Sequence, residues 1–209
     1  MTNEVGNSAP GGGRALQSER RRSNIVRAAR DVLAQGYADF SLRKVAAAAG
    51  VRLNTVQHHF GDLESLVLAT VESVIGDLLL RFSRLAEGEH ESPTDDLLAL
   101  IDGIWAAVTD IQVRTIYFEV WAMARYHPAI ADLIRRRYAD YQGFVAAIAH
   151  RLNPGLGETE ASTLATLIAS WTEGALVMTH WADPDLSSLS VVSVRMKAAC
   201  LTLLATAAG

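Results

Sequence analysis

Residues 41–60, SLRKVAAAAGVRLNTVQHHF, have the pattern of two short helices joined by a turn. Ser41 is suited to cap the first helix, because its hydroxyl can accept a hydrogen bond from a free backbone N–H. Gly50 is expected at the turn, where the backbone takes a left-handed step that side chains disfavour. Apolar residues recur every three or four positions, at Leu42, Val45, Ala46, Ala49, Val51, Val56 and Phe60. The pattern predicts a helix-turn-helix, whose second helix enters the major groove of DNA.

Residues 20–70 resemble the DNA-binding domain of the TetR family of bacterial transcriptional regulators. In that family a basic helix precedes the helix-turn-helix, and a long helix follows it. Residues 41–46 (SLRKVA) match the opening of the family pattern, residues 49–51 (AGV) the turn and residues 55–60 (TVQHHF) the recognition helix. The resemblance implies a sequence-specific regulator, commonly a repressor that a small-molecule effector releases from its operator.

The net charge of −4 is unevenly distributed along the 209 residues. Residues 1–60 carry nine Arg or Lys against four Asp or Glu, whereas residues 61–209 carry ten against nineteen. The excess positive charge is therefore in the segment that would face phosphates. The sequence has a single cysteine, Cys200, and no pattern of a signal peptide or of an uncharged membrane span. We therefore expect a cytoplasmic protein.

Helix signals recur along the chain and predict an all-α fold of about nine helices. The first helix is expected over about residues 18–35, and the fourth, capped by Asp62, reaches to about Ala86. The helices after it are expected at about residues 93–108, 111–125, 129–152, 159–181 and 188–205. The sequence divides into a disordered N-terminal arm (1–17), a helix-turn-helix domain (18–62), and an effector-binding and dimerisation domain (63–209).

Helices eight and nine are apolar on nearly every side. Residues 164–181 (LATLIASWTEGALVMTHW) contain one charged side chain, Glu173. Such a helix has to be covered on more than one face, either in a large core or by another subunit. The family resemblance favours a homodimer in which helices eight and nine of each subunit form a four-helix interface. Its two recognition helices would enter successive major grooves of a near-palindromic operator.

Contacts to double-stranded DNA are expected to divide into phosphate contacts and base contacts. The candidates for phosphate contacts are Arg20, Arg21, Arg22, Ser41, Arg43 and Lys44, with Arg14 reaching the backbone or a minor groove from the arm. The candidates for base edges or adjacent phosphates are Arg52, Asn54, Thr55, Gln57, His58 and His59. Two positions depart from the family pattern: Gln57 stands where tyrosine is frequent, and Leu63 where a phosphate-binding lysine is common.

Large aromatic side chains are concentrated in the second half of the chain. Aromatic residues at helical spacing belong to the core more often than to a binding site. The family resemblance nevertheless implies a ligand pocket between helices four and seven. The candidate ligand-binding residues are Trp105, Tyr117, Trp121, Trp171, Glu173 and Met178.

The chemistry of the effector has one indication in the sequence. Aromatic walls together with Glu119 or Glu173 would suit a cation, including a quaternary ammonium. Residues 118–130 (FEVWAMARYHPAI) also resemble the C-terminal domain of the choline-responsive BetI-like branch of the family.

Two other classes of protein are alternatives: a small-molecule-binding helical protein without DNA function, and a small all-helical enzyme. The sequence has no paired carboxylates in a helical metal motif, no recognisable Ser/His/Asp set and no glycine-rich phosphate loop, so we assign no catalytic residue and no cofactor. His58 and His59 would point about 100° apart on a helix. No cysteine or acidic cluster lies nearby in the sequence, so we predict no metal site there.

Overall fold

The computed structural model describes residues 12–181 and 186–206. Within these ranges the secondary structure consists of nine α-helices and one short 3-10 turn, as the sequence predicts for an all-α fold. The helices are α1 (Gly12–Leu33), α2 (Leu42–Ala48), α3 (Leu53–Phe60), α4 (Leu63–Glu87), α5 (Pro93–Thr109), α6 (Ile111–Ala124), α7 (Pro128–Leu152), α8 (Glu158–Trp181) and α9 (Leu186–Thr206).

The start of α1 differs most from the prediction. The helix begins at Gly12 instead of near Ser18, so residues 12–17 of the predicted disordered arm are helical. Residues 14–17 (RALQ) are good helix formers, and no glycine or proline separates them from the predicted helix. The rest of the predicted arm, residues 1–11, lies outside the described residues.

The chain divides into two compact units, Met1–Thr70 and Val71–Gly209. The division falls inside α4, whereas the sequence places the domain boundary after residue 62. Leu66, near the start of α4, is fully buried in the first unit. The long fourth helix therefore supplies core residues to both units, and the predicted domain boundary after residue 62 stays a prediction.

The first unit is built around the inner face of α1. Ile25, Ala29 and Leu33 recur at helical spacing and are fully buried. Each such side chain contributes about 1.5–3 kcal/mol when it leaves water, except for the smaller alanine. Asn24 extends this packing with a polar contact, because its Nδ2 atom donates to the Ala49 carbonyl at 3.1 Å. This hydrogen bond ties α1 to the end of α2.

The second unit contains the rest of α4 and helices α5 to α9. Its core includes Leu97 and Ile101 of α5, Ile148 of α7 and Ile168 of α8, all fully buried. Cys200 of α9 is also fully buried, and burial raises the pKa of its thiol to about 11. The thiol is therefore protonated at neutral pH and is a packing group, as the apolar surroundings in the sequence suggest.

A buried carboxylate connects α4, α5 and α7 within this unit. Asp96 is fully buried and accepts hydrogen bonds from the backbone N–H of His90 at 2.9 Å and from Arg151 Nη1 at 2.7 Å. The His90 ring also lies 2.9 Å from Asp96, and Arg151 donates to the Leu85 carbonyl at 3.1 Å. Burial alone would raise the pKa of Asp96, but the hydrogen bonds from His90 and Arg151 hold it below its usual value.

Gly88 makes room for this network at the end of α4. Its φ is +98°, and a Cβ added there would lie 2.9 Å from Arg151 Nη2. A side chain at this position would therefore be strained in its backbone and would push the guanidinium away from Asp96.

Asp96→Asn removes the charge that Arg151 faces while it keeps the side-chain volume. We expect the free energy of unfolding at pH 7 to fall by about 3 kcal/mol, measured by urea titration of the full chain. Because the folded-state pKa is depressed, the contribution is complete above the unfolded pKa, near 4, and is lost as the pH falls through the folded value. Glu91→Gln, at an exposed position close by, is the control and should change stability by less than about 0.5 kcal/mol. Equal stabilities for the two variants would contradict this assignment.

Candidate DNA-binding surface and effector cavity

The turn between α2 and α3 has the geometry that the sequence predicts. Ser41 caps α2, because its Oγ accepts from the Lys44 backbone N–H at 3.2 Å. Gly50 has a φ of +65°, and the N–H of Val51 closes the helix end by donating to the Ala46 carbonyl at 3.0 Å. Arg52 is extended and starts α3. The chain therefore reverses within a few residues and brings α3 against α2.

The recognition helix α3 has one buried face and one exposed face. Val56 and Phe60 are buried. The exposed residues are Arg52, Asn54, Gln57 and His58, whereas Thr55 and His59 are partly buried at the edges of that face. The structure thus brings together the predicted base-contacting residues on one surface, with Thr55 and His59 less exposed than the others.

His59 lies close enough to α1 for the charges of Arg21 and Arg22 to affect its pKa. Burial lowers the pKa of His59 below its usual value, and the positive charges of His58, Arg21 and Arg22 lower it further. The imidazole is therefore neutral at neutral pH. Arg22 itself lies over the Phe60 ring, 5.2 Å from its centroid, in a cation–π contact that links α1 to the end of α3.

The predicted phosphate-contacting residues also lie on the surface of the first unit. Arg14, Arg20, Arg21 and Arg22 are exposed along α1, and Ser41, Arg43 and Lys44 lie at the start of α2. Lys44 Nζ is 3.1 Å from Asp39 Oδ2 and both side chains are largely exposed. An exposed pair of this kind contributes at most about 1 kcal/mol, so Lys44 can exchange the carboxylate for a phosphate at little cost.

A cavity lies within the second unit between α4, α5, α6, α7 and α8. Its volume is about 50 Å³, room for a few water molecules, and it is partly open to the surface. Helices α4 and α5 contribute apolar lining, and the polar lining comes from α6, α7 and α8. The lining residues are Ile75, Leu78, Leu79, Phe82, Ile104, Ala107, Val108, Tyr117, Ile134, Arg137, Tyr138, Tyr141, Thr172, Glu173 and Leu176.

Three of the six predicted ligand-binding residues belong to this site. Tyr117 and Glu173 line the cavity, and Trp121 lies behind the lining, where its Nε1 donates to the Tyr138 hydroxyl at 3.0 Å. The cavity also contacts α4 and α7, the helices named by the family resemblance.

Trp105, Trp171 and Met178 do not line the cavity. On α8, Trp171 is two residues before Glu173 and Met178 is five residues after it. At about 100° per residue both point well away from Glu173. They are accordingly 38 % and 71 % exposed. Trp105 is partly buried next to Ile104, one helical position away from the lining face of α5.

The sequence analysis missed the contribution of α7. Ile134, Arg137, Tyr138 and Tyr141 all line the cavity. Their spacing of three and four residues places them on one helical face, a signal that is visible in the sequence. Charged neighbours such as Arg135, Arg136 and Asp140 obscure it.

Glu173 is the acidic group of the cavity. Its Oε2 atom is enclosed and has no hydrogen-bond partner within the described part of the chain, while Tyr138 provides a hydrogen bond to the carboxylate. Burial raises the pKa of Glu173 to about 7, and the bond from Tyr138 only partly opposes this shift. Burial, with the nearby charge of Glu173, also raises the pKa of Tyr117 and Tyr138, so both phenols stay protonated.

The described residues contain neither a metal-binding cluster nor a membrane-spanning helix. In residues 12–181 and 186–206 no three His, Cys, Asp or Glu side chains come close enough together to hold a metal ion. None of the helices over these ranges has the length and apolar character needed to cross a membrane.

An exposed polar face on the second helix of a helix-turn-helix, next to an arginine-rich helix, defines a DNA-binding transcriptional regulator. Residues 25–70 match the sequence model of "Bacterial regulatory proteins, tetR family". Residues 25–70 are therefore a DNA-binding domain of the TetR family of bacterial transcriptional regulators.

Relatives extend the similarity beyond the first unit. The chain is 27% identical over 165 residues to the HTH-type transcriptional regulator BetI of Stenotrophomonas maltophilia, covering 75% of this chain and 82% of that protein. It is 29% identical over 168 residues to BetI of Burkholderia thailandensis, covering 76% and 83% of the two chains. A candidate transcriptional regulator from Pseudomonas aeruginosa PAO1 has the same fold, with a TM-score of 0.77 at 19% identity over 91% of this chain and 93% of that one.

Gly50→Ala tests the turn between α2 and α3. A Cβ at this φ should cost about 1–2 kcal/mol, although no atom lies within 4 Å of it. We expect backbone amides of residues 41–60 to exchange roughly tenfold faster in hydrogen exchange followed by mass spectrometry. Gly76→Ala, in the middle of α4 and equally free of neighbours, is the control and should leave exchange of residues 41–60 unchanged. Unchanged exchange in the Gly50 variant would show that the turn tolerates a side chain.

Proposed function

We propose that this protein is a homodimeric repressor that leaves its operator when a small molecule occupies the cavity of the second unit. The observation that carries the proposal is the presence, in one chain, of a recognition helix with a free polar face and of a cavity lined partly by α4. Two residues, Gly61 and Asp62, separate α3 from α4, and α4 continues to the cavity. A regulator of this kind acts on the chromosome, so we place it in the cytoplasm, and we assign it no enzymatic role.

Sequence preference would come from the exposed face of α3. Arg52 suits guanine and Gln57 suits adenine, because each side chain can form two parallel hydrogen bonds to a base edge. Asn54 and His58 on the same face, with Thr55 at its edge, are further candidates for base or phosphate contacts. The arginines of α1 and the start of α2 would supply phosphate contacts, which fix position without reading sequence.

Replacing Arg52 and Gln57 together by alanine should remove sequence preference. The parent protein should bind its own upstream DNA more tightly than scrambled DNA. We expect the double variant to lose about 2 kcal/mol or more of this difference in binding free energy, measured by fluorescence anisotropy at fixed salt. Arg136→Ala, at an exposed position of α7, is the matched control and should keep the preference. Parent binding to both DNAs should weaken steeply with added salt, because phosphate contacts release counterions. Binding that ignores salt, or no preference in the parent protein, would favour a ligand-binding protein without DNA function.

The subunit interface is proposed to use α8 and α9. These helices carry large apolar side chains on the surface, among them Met178 at 71 %, Trp181 at 77 % and Val194 at 64 % exposure. Trp171, Leu167, Val191 and Val192 add to the same two helices. Clusters of exposed apolar residues mark interaction surfaces. A second copy of the chain is the occupant that a two-fold operator requires.

Val194→Glu should dissociate the dimer, because a charge would be buried opposite its own copy in a two-fold interface. We expect the molar mass from light scattering to shift from two chains to one at micromolar concentration. Leu80→Glu is the matched control, since Leu80 is a 65 % exposed apolar residue of α4 and should leave the mass unchanged. A parent protein that is already monomeric, or a Val194 variant that stays dimeric, would place the interface elsewhere.

Release from DNA would follow from a difference in effector affinity between two conformations. An effector can shift the equilibrium only as far as its affinities for the two conformations differ, typically by 1–3 kcal/mol in allosteric proteins. Ile75, Leu79 and Phe82 of α4 line the cavity, so a ligand there contacts the helix that also contributes to the first unit. A movement of α4 is therefore the proposed route from the cavity to the recognition helix.

A further inference from the structure

Glu173 Oε2 is a buried acceptor oxygen that the described residues leave without a donor. This oxygen belongs to a residue that lines the cavity, is enclosed, and has no hydrogen-bond partner within residues 12–181 and 186–206. A buried acceptor without a donor is unfavourable, and more so when it is charged. Native proteins keep few such groups, and those that persist require an explanation. A ligand that supplies the missing donor would explain why this oxygen lacks a partner in the protein.

Two tyrosine hydroxyls that line the cavity are already engaged. The Tyr138 hydroxyl accepts from Trp121 Nε1 at 3.0 Å and gives its own hydrogen bond to the Glu173 carboxylate. The Tyr141 hydroxyl lies 3.3 Å from Thr172 Oγ1. These bonds hold both phenol rings in place along the cavity and leave Oε2 open to a donor from outside the protein.

The charges around Glu173 favour a positively charged donor. From α6 and α7 the titratable groups that line the cavity are Tyr117, Tyr138, Tyr141 and Arg137, and from α4 and α5 the lining side chains are all apolar. Arg137 Nη1 pairs with Asp140 Oδ2, 3.2 Å away on its own helix, while Arg137 Nε is buried and has no hydrogen-bond partner among the described residues. The phenols are protonated. The carboxylate of Glu173 is therefore the negative charge that a ligand in this cavity would meet, with three tyrosine side chains in the same lining.

Building on the effector site proposed above, we propose that the cavity binds a small protonated primary or secondary amine whose N–H donates to Glu173 Oε2. The N–H is the specific requirement, because an enclosed acceptor needs a donor and a quaternary ammonium has none. The remainder of the ligand is apolar, because Ile75, Leu79 and Leu176 cover the other side of the cavity. Charge selects the cation, and the hydrogen bond distinguishes an amine from its fully methylated analogue.

The protonation of Glu173 makes binding depend on pH. Burial raises its pKa to about 7, so a proton occupies the carboxylate in a large part of the molecules at neutral pH. An ammonium favours the charged carboxylate and has to displace that proton at lower pH. Affinity for an amine should therefore rise by roughly tenfold between pH 6 and pH 8, and should level off above pH 8.

The test uses the full-length protein and three matched probes in isothermal titration calorimetry at pH 6 and pH 8. Cyclohexylamine has charge and N–H donors, N,N,N-trimethylcyclohexylammonium has charge without a donor, and cyclohexanol has a donor without charge. We expect cyclohexylamine to bind at least tenfold more tightly than either analogue at pH 8, and to lose roughly tenfold at pH 6. These comparisons use the parent protein, so they do not depend on the folding of any variant.

Two substitutions locate the binding group. Glu173→Gln keeps the shape and the bond to Tyr138 but removes the charge, and we expect it to abolish both the binding of cyclohexylamine and its pH dependence. Glu119→Gln on α6 is the matched control, because Glu119 is also a partly buried acid but does not line the cavity. It should bind the amine as the parent does. Equal losses in both variants, or none in either, would overturn the role of Glu173.

The other outcomes separate this inference from the proposed function. Equal affinity for the amine and the trimethyl compound would overturn the N–H requirement, and equal, pH-independent affinity for cyclohexanol would overturn the role of charge. No binding of any probe at millimolar concentration would overturn the inference, while operator binding by the parent would still support the regulator. Cyclohexylamine that binds through Glu173 and leaves operator affinity unchanged would support the ligand class and contradict effector-controlled repression.

Discussion

The burial of Val56 and Phe60 in the core of the first unit is the constraint on which DNA recognition depends. A short helix such as α3 has little stability of its own, and its stability comes from packing one face. Once these two side chains are buried, the opposite face, with Arg52 and Gln57, has to be exposed. Arg22 reinforces the arrangement by covering the Phe60 ring, and Asn24 holds the end of α2. The polar surface proposed to contact DNA is thus a consequence of apolar packing beneath it.

One buried and one partly buried carboxylate in the second unit show how hydrogen bonding decides between a structural and a proposed functional role. Asp96 receives donors from His90 and Arg151, its pKa is lowered, and it joins three helices. Glu173 receives a bond from Tyr138 but retains an open oxygen, and its pKa is raised to about 7. The first is a satisfied charge inside the fold. The second is the acid of the cavity, and one of its oxygens has no donor among the described residues. A ligand can therefore contribute a hydrogen bond there.

The first unit was largely predictable from sequence, because its signals are local. Ser41, Gly50 and the apolar spacing on either side of the turn each act within a few residues, and the helix ends follow from caps of the same kind. The ligand cavity was not predictable to the same degree. Trp171 and Met178 are conspicuous in the sequence, but which face of an all-round apolar helix points inward depends on the packing of distant helices. The open oxygen of Glu173 is invisible in the sequence, since it depends on where Tyr138 and its neighbours lie in space.

The buried thiol of Cys200 has a practical consequence for studying this protein. With a fully enclosed sulfur and a pKa of about 11, the chain's one cysteine is a very poor nucleophile at neutral pH. Maleimide dyes and spin labels would therefore react with an introduced surface cysteine and leave the native residue unmodified. Distances between labelled positions can be followed in solution without first removing a core side chain.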